Sequence, residues 1–281
     1  MSYAAAASLP QVEAAAVSDY RHIRVDPISP YLGAEIGGVD LSRPLSEAVF
    51  AEVRRAFVEF SVIFFRDQRL TPEQHIAFAR RFGRIDINRF FKAVDGHPEI
   101  AEVRKEAEQK SNIGGSWHTD HSYDQIPALG SMLYARELPP VGGDTLFSSM
   151  VAAFEALSPG LQKTLLGLRA VHSSRHVFGT TARRPAESDL EGRIGNAELA
   201  TQDALHPVVI THPESGRKAL YVNSISRFGS TAGRTRNPQP CSAISTSMRH
   251  DRNLPPASGD AIDPLRTWAT GILCSAGPSS L

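Results

Sequence analysis

Trp117-His118-Thr119-Asp120, followed downstream by Gly142-Gly143-Asp144-Thr145, constrains this chain more than any other stretch. In an extended segment successive side chains alternate between faces, so His118 and Asp120 project to one side, about 7 Å apart along the strand. Two donors placed in this way can converge on one metal ion. An imidazole and a carboxylate form a nitrogen/oxygen set, and one further His would make the two-His-one-carboxylate arrangement that holds Fe(II) with coordination positions left open. Trp117 has the opposite parity and reads as core. His121 shares that parity and reads as a surface group or a group behind the ligands. Asp124 has the right parity but lies about 13 Å further along an extended strand, too far to share the ion. A bare H-x-D is a common pattern, so its surroundings decide its meaning.

The 281 residues carry thirty basic and thirty acidic side chains, a balance that supplies no field for nucleic acid or an anionic membrane surface. A small-molecule substrate is the expectation. Cys241 and Cys274 are too few for a disulfide framework. Residues 1–20 are Ala-rich and contain no Lys or Arg, which lacks the charged start of a secretory signal, and no stretch reaches the length of a membrane span. These residues read as a mobile leader, and a cytoplasmic location is expected.

Ser46 to Phe60 sets Val49, Phe50, Val53, Ala56, Phe57 and Phe60 on one helical stripe. Ser61 to Phe65 is a short apolar run of the kind buried on both sheet faces. Thr71-Pro-Glu-Gln74 has the form of a capping box opening a helix that ends at Gly83. Leu129 to Leu138 and Val208 to Val222 read as strands, the second as a hairpin turning at Pro213 to Gly216. Ser149 to Leu157 and Leu161 to Leu168 read as short helices, and His172 to Ala204 as a long loop. Strands with turns and a few helices predict a mainly β fold with helical additions (α+β), a sandwich or barrel rather than a doubly wound sheet.

Ile126-Pro-Ala-Leu-Gly-Ser-Met-Leu-Tyr-Ala-Arg-Glu-Leu-Pro-Pro-Val-Gly-Gly-Asp-Thr-Leu-Phe147 closely resembles the segment that follows H-x-D in the taurine dioxygenase and 2,4-dichlorophenoxyacetate dioxygenase (TauD/TfdA) family. Pro30 to Leu41, Val62 to Gln68, Phe78 to Gly83 and His206 to Pro213 extend the resemblance over roughly residues 26 to 225. It implies a double-stranded β-helix, or jelly roll, and dependence on Fe(II), 2-oxoglutarate and O₂. His118 and Asp120 become metal ligands, and Thr145 the threonine that hydrogen-bonds the 2-oxoglutarate carboxylate. Oxidative decarboxylation to succinate and CO₂ would drive hydroxylation of a small organic acid of the sulfonate, sulfate ester or aryloxyalkanoate type. Asn88 and Phe91 stand where taurine-specific members carry a His and a Tyr. Losing both polar contacts argues against taurine itself. A homo-oligomer is compatible with all of this.

The chain departs from the family after about Phe228. The resemblance implies a Trp-Asp-Asn-Arg stretch, a second metal His and then an Arg for the distal carboxylate of 2-oxoglutarate, and this pattern is missing. His250 and Arg266 are the substitutes on offer, with flanks that do not match. Residues 229–281 are dominated by Pro, Ser, Thr, Gly and Arg, and neither period can be followed through them, which favours a poorly ordered tail and a jelly roll incomplete at its C-terminus. The expected division is a leader over 1–20, a dioxygenase domain over 21–228 and this tail over 229–281. The abrupt change has the form of a reading-frame shift. Two functional classes follow: an active dioxygenase, or a member crippled at the third ligand and the Arg, surviving as a non-catalytic binding protein or pseudogene product.

Overall fold

The computed structural model describes residues 19–110, 113–114, 117–180, 182, 194–223, 227–228 and 272–276. Its centre is a five-stranded sheet that begins with β1 (Arg24–Pro27) and β2 (Ala34–Gly37), an antiparallel hairpin. Gly33, at φ +90°, turns the chain into β2 where a Cβ would lie 2.7 Å from the Ile28 side chain, so a larger residue is barred by backbone and space together. A helical crossover, α1 (Glu47–Phe60), then returns the chain to β3 (Val62–Phe65), which runs parallel to β2.

Helix α1 starts where Ser46 accepts a hydrogen bond from the Val49 amide, and of the stripe read from the sequence it buries Phe50, Val53, Ala56, Phe57 and Phe60, with Val49 partly buried at the helix start. Alternation along β3 sends Ile63 and Phe65 into this core and Val62 and Phe64 to the opposite face. Helix α2 (Pro72–Phe82) opens with the complete capping box between Thr71 and Gln74. Its Phe78 and Phe82 meet Phe50, Phe57 and Phe65 edge to face, with ring centroids between 5.0 and 6.5 Å apart.

A small hairpin, β4 (Ala93–Val94) and β5 (His97–Ala101), precedes β6 (Gly130–Tyr134). Helices α3 (Met150–Glu155) and α4 (Pro159–Leu165) follow, each capped by a serine. Strand β7 (Arg169–Ser173) pairs with β8 (Asp203–Pro207), so the expected loop from His172 to Ala204 is framed at both ends by antiparallel strands. Asp203, His206 and Pro207 leave β8 without an apolar strand pattern, which hid this pairing. The hairpin of β9 (Val209–Thr211) and β10 (Lys218–Leu220) turns at Gly216, φ +69°, as the Pro-Glu-Ser-Gly stretch predicts. Strand β11 (Arg227–Phe228) adds to β7.

One piece of the segment expected to be poorly ordered forms regular structure. Strand β12 (Ile272–Ala276) lies between β3 and β6, antiparallel to both, giving the order β1-β2-β3-β12-β6. Its five residues are mainly small or apolar, and their hydrogen-bonding partners lie about 140 to 210 residues away, a separation no local period reports. Together the elements make mixed sheets with helices packed on them.

Candidate metal centre

His118 and Asp120 emerge on the chain leading into β6. Trp117 to Thr119 has no regular structure and Asp120 opens a turn, so the pair does not sit on the extended strand expected from its spacing. The turn has a local cause. His121 adopts the left-handed conformation, φ 54°, and the Asp124 amide donates to the His121 carbonyl at 3.0 Å, which no continuing strand allows.

The turn draws the two side chains closer than a strand would. His118 Nε2 and Asp120 Oδ1 are 3.2 Å apart. Two adjacent ligands, each about 2.1 Å from a common ion at roughly a right angle, lie about 3 Å apart, so these donors fit one divalent metal. The second carboxylate oxygen is already occupied: Ser131 on β6 donates to Asp120 Oδ2 at 2.7 Å. Such a bond fixes the carboxylate plane and leaves Oδ1 turned toward His118. The His118 hydrogen bond holds the Asp120 carboxyl below its usual range against the opposing effect of burial, with Ser131 adding to the depression. Both side chains remain partly exposed, at 42% and 56%, so an ion and small ligands could reach them.

Ser131 and Val62 align across the sheet through the β12 backbone, which places the Asp120 carboxylate bonded to Ser131 over the sheet face opposite α1. The Gly-Gly-Asp-Thr segment returns to the same face: Gly142 and Gly143 take φ values of 76° and 83°, and Phe147 packs with Val62 and Phe64. Thr145, between them, is exposed. Asn88 turns back on its own chain, its Oδ1 accepting from the Phe90 and Phe91 amides at 2.8 and 3.0 Å. Phe91 is half-buried in an aromatic group, edge-on to Phe178 at 6.2 Å, beside a stacked Phe90–Phe178 pair at 4.1 Å. His250 and Arg266 lie outside the described residues. Among the described residues no third His, Cys, Asp or Glu joins the His118–Asp120 pair.

Sequence reasoning offered His121 as a surface group or a group behind this pair, but missed Asp124 and Arg89 as its supports. His121 Nδ1 meets Asp124 Oδ2 at 3.0 Å, and Arg89 donates to Asp124 Oδ1 at 2.5 Å. Burial raises the Asp124 pKa, but the His121 and Arg89 hydrogen bonds outweigh it and keep the carboxyl below its usual range. The Asp124 carbonyl meets His206 Nε2 at 3.0 Å, and Asn223 donates to the buried Ser122 hydroxyl at 3.3 Å. The i,i+3 spacing of His121 and Asp124 was the available signal. It is hidden if the stretch is taken as a strand.

The profile of the taurine catabolism dioxygenase TauD, TfdA family matches residues 24–245. The chain is 35% identical over 220 residues to the alpha-ketoglutarate-dependent 2,4-dichlorophenoxyacetate dioxygenase of Cupriavidus pinatubonensis, covering 71% of this chain and 72% of that protein. It is 32% identical over 216 residues to an alpha-ketoglutarate-dependent sulfonate dioxygenase of Saccharomyces cerevisiae, covering 72% of this chain and 49% of the yeast protein. Among solved structures, AAD-2 in complex with Mn(II) and N-oxalylglycine superposes with a TM-score of 0.67 at 27% identity, over 92% of this chain and 89% of that one. The chain belongs to the TauD/TfdA family of 2-oxoglutarate-dependent dioxygenases. Jelly-roll dioxygenases of this type are its structural neighbours.

Proposed function

We propose that this protein is an Fe(II)- and 2-oxoglutarate-dependent dioxygenase that hydroxylates a small organic acid of the sulfonate, sulfate ester or aryloxyalkanoate type. The observation that carries this reading is the 3.2 Å approach of His118 Nε2 to Asp120 Oδ1, with Ser131 orienting the carboxylate. His118 and Asp120 hold the metal, and Thr145 hydrogen-bonds a carboxylate of 2-oxoglutarate. No third metal ligand and no 2-oxoglutarate Arg is assigned; His250 and Arg266, outside the described residues, are the candidates the sequence offers. Bound there, Fe(II) would allow O₂ to act as the four-electron oxidant, with two electrons coming from 2-oxoglutarate as it is converted to succinate and CO₂ and two from the substrate C–H as it becomes C–OH, one oxygen atom going to each product. The protein side chains orient the substrate C–H and exclude water, and no protein nucleophile takes part.

Asn88 is engaged with its own backbone and Phe91 with an aromatic group, so neither offers taurine the polar contacts expected of a His and a Tyr. An acid with a larger apolar body suits that surface better. Small-molecule chemistry away from membranes, with a cytoplasmic location, agrees with the balanced charge, and no helix among the described residues is long and apolar enough to cross a membrane. Succinate formation measured across taurine, longer sulfonates, alkyl sulfates and aryloxyalkanoates tests the reading. Substrate-dependent succinate with a member other than taurine is expected. A clear preference for taurine refutes the specificity, and no succinate with any member refutes the activity.

A further inference from the structure

Asp124 makes polar contacts with both the loop bearing His118 and Asp120 and the segment aligned with the family's substrate contacts, beside Tyr123, whose ring meets Phe90 at 6.0 Å and His121 at 5.7 Å. Its Oδ2 meets His121 Nδ1, next in sequence to ligand Asp120, and its Oδ1 accepts from Arg89, next to Asn88. Each partner is itself anchored. The Arg89 carbonyl accepts from Asn196 at 2.8 Å, and the Phe90 carbonyl from the Gly195 amide at 2.9 Å. On the loop side, Gln125 donates to the Asp203 carbonyl at 3.1 Å, and the Asp124 carbonyl meets His206. Both groups of anchors lie on the stretch from Gly195 to His206, and the Arg89–Asp124 pair joins the two segments directly, alongside the Phe90–Tyr123 ring contact.

Position and geometry separate this pair from an ordinary surface contact. Its side chains are only 37% and 21% exposed, and both carboxylate oxygens are committed, one to a charged guanidinium. Exposed ion pairs contribute little, whereas a partly buried, charge-assisted bond with a second partner on the same carboxylate resists rearrangement. Arg89 follows Asn88 in the chain, and its charge is met by Asp124.

We propose that Asp124 is a positioning residue: through Arg89 and His121 it ties the 84–92 segment to the loop bearing His118 and Asp120, so that substrate contacts and metal ligands move as one unit. The proposal rests on the dioxygenase reading for its metal side. It assigns Asp124 no contact with the ion. It also assigns Arg89 to the scaffold, so the acid group of the substrate must find another donor.

The test uses the full chain and the variants Asp124→Asn, Arg89→Met, Arg89→Lys and the Asp124→Asn/Arg89→Met double. Glu155→Gln, which breaks a distant pair with Arg217, is the control. Hydrogen–deuterium exchange of the metal-free protein reads peptides covering 84–92 and 117–125, with α1 and β3 as internal references. Anaerobic equilibrium dialysis reads Fe(II) affinity. Each charge-removing variant should raise exchange in both segments while α1 and β3 stay protected, and should weaken Fe(II) binding on the order of 10- to 100-fold. The double variant should do no worse than Asp124→Asn alone, because the charged contact with Arg89 is already lost in that single variant. Arg89→Lys, which keeps the charge, should fall between wild type and Arg89→Met. Should Asp124→Asn fail to fold, the two Arg89 variants carry the same comparison.

Exchange confined to the mutated segment, unchanged Fe(II) affinity, or additive losses would overturn the proposal. Wild type that binds no Fe(II) would instead refute the dioxygenase reading, and the exchange results alone would then decide whether the two segments are coupled.

Discussion

Lowering the pH should unfold this protein partly through His172. Its side chain on β7 is fully buried, stacked on Tyr221 at 5.0 Å between ring centroids and edge-on to His206 at 5.3 Å. Burial, reinforced by His206, pushes its pKa down from 6.5 to about 4, while a hydrogen bond to the Tyr221 backbone opposes the shift. Between those two values the unfolded chain binds the proton that the folded chain refuses. The contribution of His172 is therefore fully present above pH 6.5 and is lost as the pH falls toward 4. The difference, at 1.36 kcal/mol per pH unit, amounts to at most about 3 kcal/mol, a large part of the 5–15 kcal/mol typical of a domain. His172→Phe keeps a ring in place but removes both the titration and the bond to Tyr221. At pH 8 the variant should be less stable by about 1–3 kcal/mol for the lost hydrogen bond. That deficit should shrink and reverse near pH 4 to 5. Urea unfolding of metal-free protein in half-unit pH steps measures both curves, and the depressed carboxylates common to both cancel in the difference. A constant gap between the curves from pH 8 to pH 4 would refute the reasoning.

Ser131→Ala, which frees Asp120 Oδ2, should weaken Fe(II) affinity roughly 10- to 100-fold in anaerobic dialysis while leaving urea unfolding nearly unchanged. Tyr221→Phe removes a buried hydroxyl with no hydrogen-bond partner among the described residues, and should raise stability by about 1 kcal/mol in the same urea assay. Phe60→Ala, at a fully buried position on α1, should cost about 3–5 kcal/mol in urea unfolding. Leu273→Pro removes a backbone donor from the strand between β3 and β6, so light scattering should show aggregation as those strands lose their neighbour.

Features governed by near neighbours in the chain were the ones legible in the sequence. The α1 stripe, the Thr71–Gln74 box and the turn at Gly216 each follow from residues within a few positions of one another, and each appears where it was expected. The placing of β12 depends on partners far away in the chain, and a stretch such as Ile272 to Ala276 carries no local mark of them. The geometry of the candidate site was legible in part. The His118–Asp120 pairing followed from spacing, but the left-handed turn at His121 changed the geometry from a strand to a loop. That turn brings His121 and Asp124 into contact and makes Asp124 a support for the loop. Ser131 looked like an ordinary strand residue, since only the folded loop sets Asp120 against it.

Anaerobic equilibrium dialysis of Fe(II) in the presence of 2-oxoglutarate, on wild type, His118→Ala and Asp120→Ala, tests most directly the claim that these two residues hold the metal. Wild type should retain Fe(II), with 2-oxoglutarate increasing the retention. Each variant should lose at least tenfold in affinity while keeping the wild-type circular dichroism. Equal retention by wild type and both variants would contradict the claim and move the metal elsewhere in the chain.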